Sequence, residues 1–133
     1  MSNSIDVQVN QIGPTASEGS VRDHTVVMDR PETKGGENRG AMGGEHLLMA
    51  LGGCFMSNLL AAILAREADV SNVKLSVSGT IESAPPRFGS IEMKISADHD
   101  DDEQLQKLIT IAERGCIVAN TLRMDTDLSI TTD

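Results

Sequence analysis

The chain has 133 residues, a net charge of −9, 39% hydrophobic and 23% charged residues, and Phe55 and Phe88 as its only aromatics. That length predicts one domain, 1–133, with a limited core. The acidic balance and the missing aromatics argue against a phosphate-backbone partner or a base-stacking platform, so no nucleic acid is expected. The opening "MSNSIDVQVN" lacks a basic n-region and an apolar h-region. The two cysteines, Cys54 and Cys116, do not make a secreted-type disulfide framework, which predicts a cytoplasmic protein.

In chain order, "SIDVQVN" alternates Ile5, Val7 and Val9 against Asp6, Gln8 and Asn10, the pattern of a half-buried strand. "IGPTASEGS" reads as a turn region and "VRDHTVVMD" as a second strand. Residues 30–44, "RPETKGGENRGAMGG", form a long glycine-rich loop, a type that is often functional. A helix follows from about Glu45 to Glu67. "VKLSVSGTI" places Val73, Leu75, Val77 and Ile81 on one face, and "SIEMKISA" does the same with Ile91, Met93 and Ile95; with "APPRFG" between them, the two predict an antiparallel hairpin. "DDDEQLQKLITIAER" carries Leu105, Leu108, Ile109 and Ala112 as one apolar helical stripe, its acidic start suited to the helix dipole. Gly115 stops or kinks it. "DLSITTD" reads as a last strand. The order β-β-α-β-β-α-β predicts an α+β fold, with helices packed on antiparallel sheet.

The segment 47–65, "LLMALGGCFMSNLLAAILA", approaches the length of a bilayer span. Gly52, Gly53, Ser57 and Asn58 interrupt it, amphipathic strands flank it, and no Lys or Arg cluster borders it, so no membrane role is expected. A soluble helix apolar all round must be covered all round. One small domain covers one side, and a second copy of the chain covers the other, which predicts an intimate homodimer. Gly52 and Gly53 fit close approach by another backbone, or relief of crowding within one chain.

Cys54 is either a small buried hydrophobe or a nucleophilic thiol. The second reading needs a group that lowers its pKa. The candidates lie before it, at Arg30, Arg39 and Glu45. Glu45 and Cys54 fall on opposite sides of a regular helix, so Glu45 would act through an arginine or from a partner subunit. His24, His46 and His99 share no ligand spacing with each other or with the cysteines, and no metal is expected. "DHDDDE" lacks the alternating ligands and glycine of a calcium loop, and "GGENRG" lacks the Lys-Ser/Thr of a P-loop, so no cofactor is expected either.

Taken together, "GGENRGAMGGEHLLMALGGCFMSNLLAA" resembles the first signature of the OsmC/Ohr peroxidase family, and "IAERGCIVANTL" resembles the second. The resemblance covers nearly the whole chain. It implies the OsmC-like fold, with antiparallel sheets packed on a long central buried helix, in an intertwined homodimer with active sites at the subunit interface. It also implies thiol-based reduction of hydroperoxides. By motif position Cys54 is the peroxidatic thiol, Cys116 the resolving thiol and Glu45 the carboxylate. Arg30 is favoured over Arg39 as the active-site arginine, because a strand end is better held than a glycine-rich loop.

The sequence departs from the family pattern at three places. Gly43 and Gly44 stand where a proline commonly precedes the Glu, Ile117 rather than proline follows Cys116, and the Glu is one residue closer to the cysteine. These features resemble the branch that includes YhfA. Leu51, Phe55 and Met56 near Cys54 favour an organic hydroperoxide over hydrogen peroxide, with an external dithiol as reductant. The alternative is a non-catalytic dimeric stress protein that binds a small apolar ligand in the same interfacial pocket.

Overall fold

The computed structural model describes residues 3–133, and the chain divides into two compact units, Met1–Leu47 and Leu48–Asp133. In the first unit, β1 (Gln8–Gln11), β2 (Ser17–Val21) and β3 (His24–Met28) form an antiparallel sheet in the order β1-β2-β3. Two expectations change here. β1 is exposed along its whole length, with Val7 and Val9 more than half accessible. The segment from Val21 to Asp29 is not one strand, because Arg22 adopts a left-handed conformation (φ 52°) and turns the chain between β2 and β3. The predicted turn region contributes β2 instead.

In the second unit most of the apolar patterns settle as read. Helix α1 (Gly43–Ala65) begins in the first unit and runs unbroken through Cys54. It ends where Glu67 turns left-handed (φ 49°) and the Ala68 N–H closes onto the Ile63 carbonyl at 3.0 Å. The long strands β4 (Val70–Glu82) and β5 (Arg87–His99) pair as the expected antiparallel hairpin. Val73, Leu75, Val77, Ile91, Met93 and Ile95 pack together against the core. Ile81 does not join them. A register shift between Thr80 and Ile81 breaks the alternation, and Ile81 is largely exposed.

Helix α2 (Asp102–Arg114) is N-capped by Asp101, whose carboxylate accepts the Gln104 N–H at 3.1 Å. Leu105, Leu108 and Ala112 are its buried stripe, with Ile109 partly buried beside them. Gly115 stops the helix, and a short third helix, α3 (Ile117–Arg123), begins at once with Cys116 as its N-cap. The sequence pattern does not separate this helix from α2. The predicted strand "DLSITTD" does not form: residues 124–133 have no regular structure, and Leu128 and Ile130 are exposed. A strand needs a neighbour to bond its backbone groups. β4 and β5 pair with each other and, among the described residues, with nothing else.

The fold is α+β, with small antiparallel sheets and three helices. The core of the second unit gathers Leu51, Phe55, Leu59 and Ile63 of α1 with Leu105, Leu108 and Cys116. α1 is long and apolar enough to cross a membrane by length and composition. Among the described residues only one side of it is buried. Met49, Leu60 and Leu64 remain exposed at 55%, 45% and 77%.

Candidate active site

The fold brings Cys54 and Cys116 side by side. Cys54 sits mid-way along α1, partly exposed and packed against the core, while Cys116 is fully buried at the corner between α2 and α3. Both are free thiols. The Cys116 sulfur accepts the Ala119 N–H at 3.5 Å, as the N-cap of α3.

The two thiols are tuned in opposite directions. The Val118 N–H, against the opposing effect of burial, holds the Cys54 thiol below its ordinary pKa, helped by the Cys116 thiol and the Ile117 N–H. Each of these donors stabilises the thiolate over the thiol. Burial pushes the Cys116 thiol up, with the neighbouring Cys54 adding to the rise and the Ala119 N–H opposing it. Cys54 is therefore the thiol that ionises first, and Cys116 the one that keeps its proton and donates it. A low-pKa, partly exposed cysteine beside a protonated partner is the arrangement expected of a nucleophile and its resolving thiol.

The other predicted site residues lie in the first unit. Asp29 is buried there at the end of β3, and its carboxylate accepts the N–H groups of Arg30 at 2.7 Å and of Glu37 and Arg39 at 3.2 Å. Burial alone would raise its pKa. Hydrogen bonds from Thr15 and from those three N–H groups outweigh burial and hold it below the usual carboxylate value. Asp29 thus gathers the loop 30–44 around one charge. The glycines let the loop close: a Cβ at Gly36 would collide with the Arg30 carbonyl, and one at Gly40 with the Val27 carbonyl.

Sequence reasoning missed Asp29. The one signal for it was an acid directly before a glycine-rich loop. It also treated that loop as poorly held, whereas Arg39 is fixed by Asp29 and by its own Nη1, which donates to the Ile12 carbonyl at 3.4 Å. Arg30 lines a concavity with Thr15, Ser17, Lys34 and Met42. Glu45 caps α1, its Oε1 accepting the Met42 N–H at 2.8 Å, which is the carboxylate half of a capping box. Among the described residues no ion pair joins Arg30 to Glu45. No cluster of His, Cys, Asp and Glu suited to a metal ion occurs among the described residues.

The structure resembles solved proteins over nearly its whole length. A protein from Psychrobacter arcticus 273-4, named for an osmotic stress induced and detoxification response, is 16% identical with a TM-score of 0.78, covering 91% of this chain and 90% of its own. The OsmC-like protein of Mycoplasma pneumoniae is 17% identical, with a TM-score of 0.74 and coverages of 92% and 89%. An organic hydroperoxide resistance protein from Elizabethkingia anophelis is 17% identical, with a TM-score of 0.64 and coverages of 92% and 90%. At these identities the likeness establishes the fold. No curated protein matches the sequence significantly. The family model for OsmC-like proteins matches residues 36–131, which spans both cysteines, and the chain belongs to the OsmC-like protein family.

Proposed function

We propose that this protein is a thiol-dependent hydroperoxide reductase. Its family and its structural relatives named for organic hydroperoxide resistance support a stress- or peroxide-related role. The observation that carries the finer reading is the contact of Cys54 with Cys116, in which the partly exposed thiol is the more acidic and the buried one the less.

In this mechanism the Cys54 thiolate attacks the terminal oxygen of R–O–O–H. The S–O bond forms, the O–O bond breaks, and the alkoxide leaves and takes a proton to become the alcohol. Cys54 is then a sulfenic acid. The Cys116 sulfur displaces its hydroxyl, which departs as water with the Cys116 proton, and a disulfide forms. An external dithiol restores both thiols by two exchanges and is itself oxidised to a disulfide. By family resemblance Arg30 is the cation that steadies the thiolate and Glu45 the carboxylate that orients the arginine. The same resemblance and the exposed side of α1 support an obligate homodimer.

Cys54→Ser tests the assignment. Consumption of cumene hydroperoxide with dithiothreitol as donor is lost in the variant, while circular dichroism is unchanged. Wild-type turnover in Cys54→Ser would remove Cys54 as nucleophile. Alkylation of Cys54 by iodoacetamide should reach half its maximal rate at a pH below the ordinary thiol value, because the depressed pKa keeps it ionised there.

A second reading is favoured by a groove of about 510 Å³ in the second unit, whose lining combines the apolar Leu51, Phe55, Phe88, Met93 and Leu122 with the Glu113–Arg123 ion pair. It suits a small apolar ligand held without turnover. A protein that binds an apolar dye there, yet leaves Cys54 unoxidised in excess cumene hydroperoxide, would favour this alternative.

A further inference from the structure

The corner that carries Cys116 is tied down by hydrogen bonds at every free carbonyl of α2. The last four carbonyls of a helix have no partner within it and must find one elsewhere. Here Ile111 accepts from the Gly115 N–H at 3.3 Å and Glu113 from the Cys116 N–H at 3.2 Å. Arg114 accepts from the side-chain amide of Asn120 at 3.2 Å. These three bonds are local to the corner. The fourth carbonyl, Ala112, accepts the side-chain amide of Asn58 at 3.3 Å. Among the described residues it is the only hydrogen bond from an α1 side chain to α2.

Asn58 lies four residues after Cys54, so the two side chains stack on one face of α1. It is also the one side-chain amide in α1, and with its neighbour Ser57 the only polar side chain between Leu47 and Ala65. Gly115 makes room for it: a Cβ at that position would sit 3.3 Å from the Asn58 nitrogen. One helix face thus presents the thiol at Cys54 and, a turn later, a polar hook on the segment leading into Cys116. Nothing in the packing of α1 requires an amide there. An apolar residue would fill the space, but it would leave the Ala112 carbonyl without a partner.

We propose that Asn58 is a positioning residue for the redox pair. By binding the Ala112 carbonyl it fixes the Gly115–Cys116 corner on α1 and keeps Cys116 within bonding reach of Cys54. The catalytic consequence rests on the peroxidase reading. The positioning itself does not, because a held thiol pair closes to a disulfide with any thiol–disulfide oxidant.

The test therefore has two arms. In the first, wild type, Asn58→Leu and Gly115→Ala are equilibrated with mixtures of reduced and oxidised glutathione. Glutathione disulfide supplies the oxidising equivalents and leaves as two thiols, and intact mass reports the Cys54–Cys116 disulfide. The effective concentration of one thiol for the other should fall about tenfold in Asn58→Leu, the scale set by losing one hydrogen bond. Gly115→Ala, which crowds the amide without removing it, should fall less, and it keeps the test available if Asn58→Leu does not fold. In the second arm the same proteins meet excess cumene hydroperoxide. Asn58→Leu should accumulate more Cys54 sulfinic acid at the expense of disulfide, because a second peroxide outruns the displaced Cys116.

A residue that only stabilised the fold would lower the melting temperature and move neither readout. An unchanged effective concentration in both variants overturns the proposal. A fall in the glutathione arm, with a wild type that cumene hydroperoxide does not oxidise, upholds Asn58 and overturns the peroxidase reading alone.

Discussion

The two units of this chain are held by different physics. In residues 3–47 only Ala16, Gly19 and Asp29 are buried, and the order of the loop 30–44 comes from backbone hydrogen bonds converging on one carboxylate. In Leu48–Asp133 nine apolar side chains besides Cys116 are buried in one cluster, and outside the β4–β5 ladder only a few hydrogen bonds join one element to another. The first arrangement is local and geometric: each bond has one donor and one place. The second is collective, since burial scales with area and no single contact dominates. A defect should therefore spread in the second unit and stay confined in the first.

The largest effect tests the collective half. Leu108 is 1% exposed. Leu108→Ala should cost about 3 kcal/mol, the usual size for a leucine truncated in a packed core. Urea denaturation followed by circular dichroism measures it. A loss under about 1 kcal/mol would mean that the second unit is not the stability reservoir described here.

The next test concerns the side of α1 that this chain leaves bare. If a second copy covers it, Leu60→Glu places a charge in an apolar interface and weakens association about 100-fold. Sedimentation at low micromolar concentration should show twice the monomer mass for wild type and the monomer mass for the variant. A stable wild-type monomer would remove the homodimer and leave Gly53, which has open space around it, without a packing reason. Gly52 already has one, since its position faces Val77 at 3.3 Å.

The smallest global effect belongs to the polar half. Asp29→Ala should speed amide exchange at Glu37 and Arg39 and leave the amides of β4 and β5 unchanged. The carboxylate of Asp29 has a depressed pKa in the folded chain. Its contribution is thus complete above the ordinary aspartate value and disappears as pH falls through the lower, folded value. Wild-type loop protection should fade over that same acid range. If acid or Asp29→Ala releases β4 and β5 together with the loop, the contrast between local and collective order is wrong.

The same contrast explains what the sequence discloses. Apolar runs and apolar periodicity report collective burial, so α1 was legible from its continuous run, the β4–β5 hairpin and the stripe Leu105, Leu108, Ala112 from their spacing, and the cysteines as a pair through the family signatures. Periodicity does not report single polar contacts. Asp29, Asn58 and the N–H groups of Ile117 and Val118 act through geometry that no spacing rule encodes. Ile81 and the "DLSITTD" segment fail for the opposite reason: both have a good alternation, but one meets a register shift and the other has no strand to pair with.

The long hairpin also bears on how the chain finds its shape. β4, β5 and the turn between them occupy about half of the stretch between Cys54 and Cys116, and the strands pair with each other through a short connection. Contacts between near neighbours in sequence close quickly, and a chain that folds back on itself shortens the remaining search. Once the two strands have zipped, α1 and α2 enter and leave the sheet at the same end, where Val70 pairs with His99. The distant thiols are then joined by a loop far shorter than their separation in sequence. Thiol proximity during refolding should appear only after the hairpin has closed, so cross-linking of Cys54 to Cys116 serves as a clock for that step.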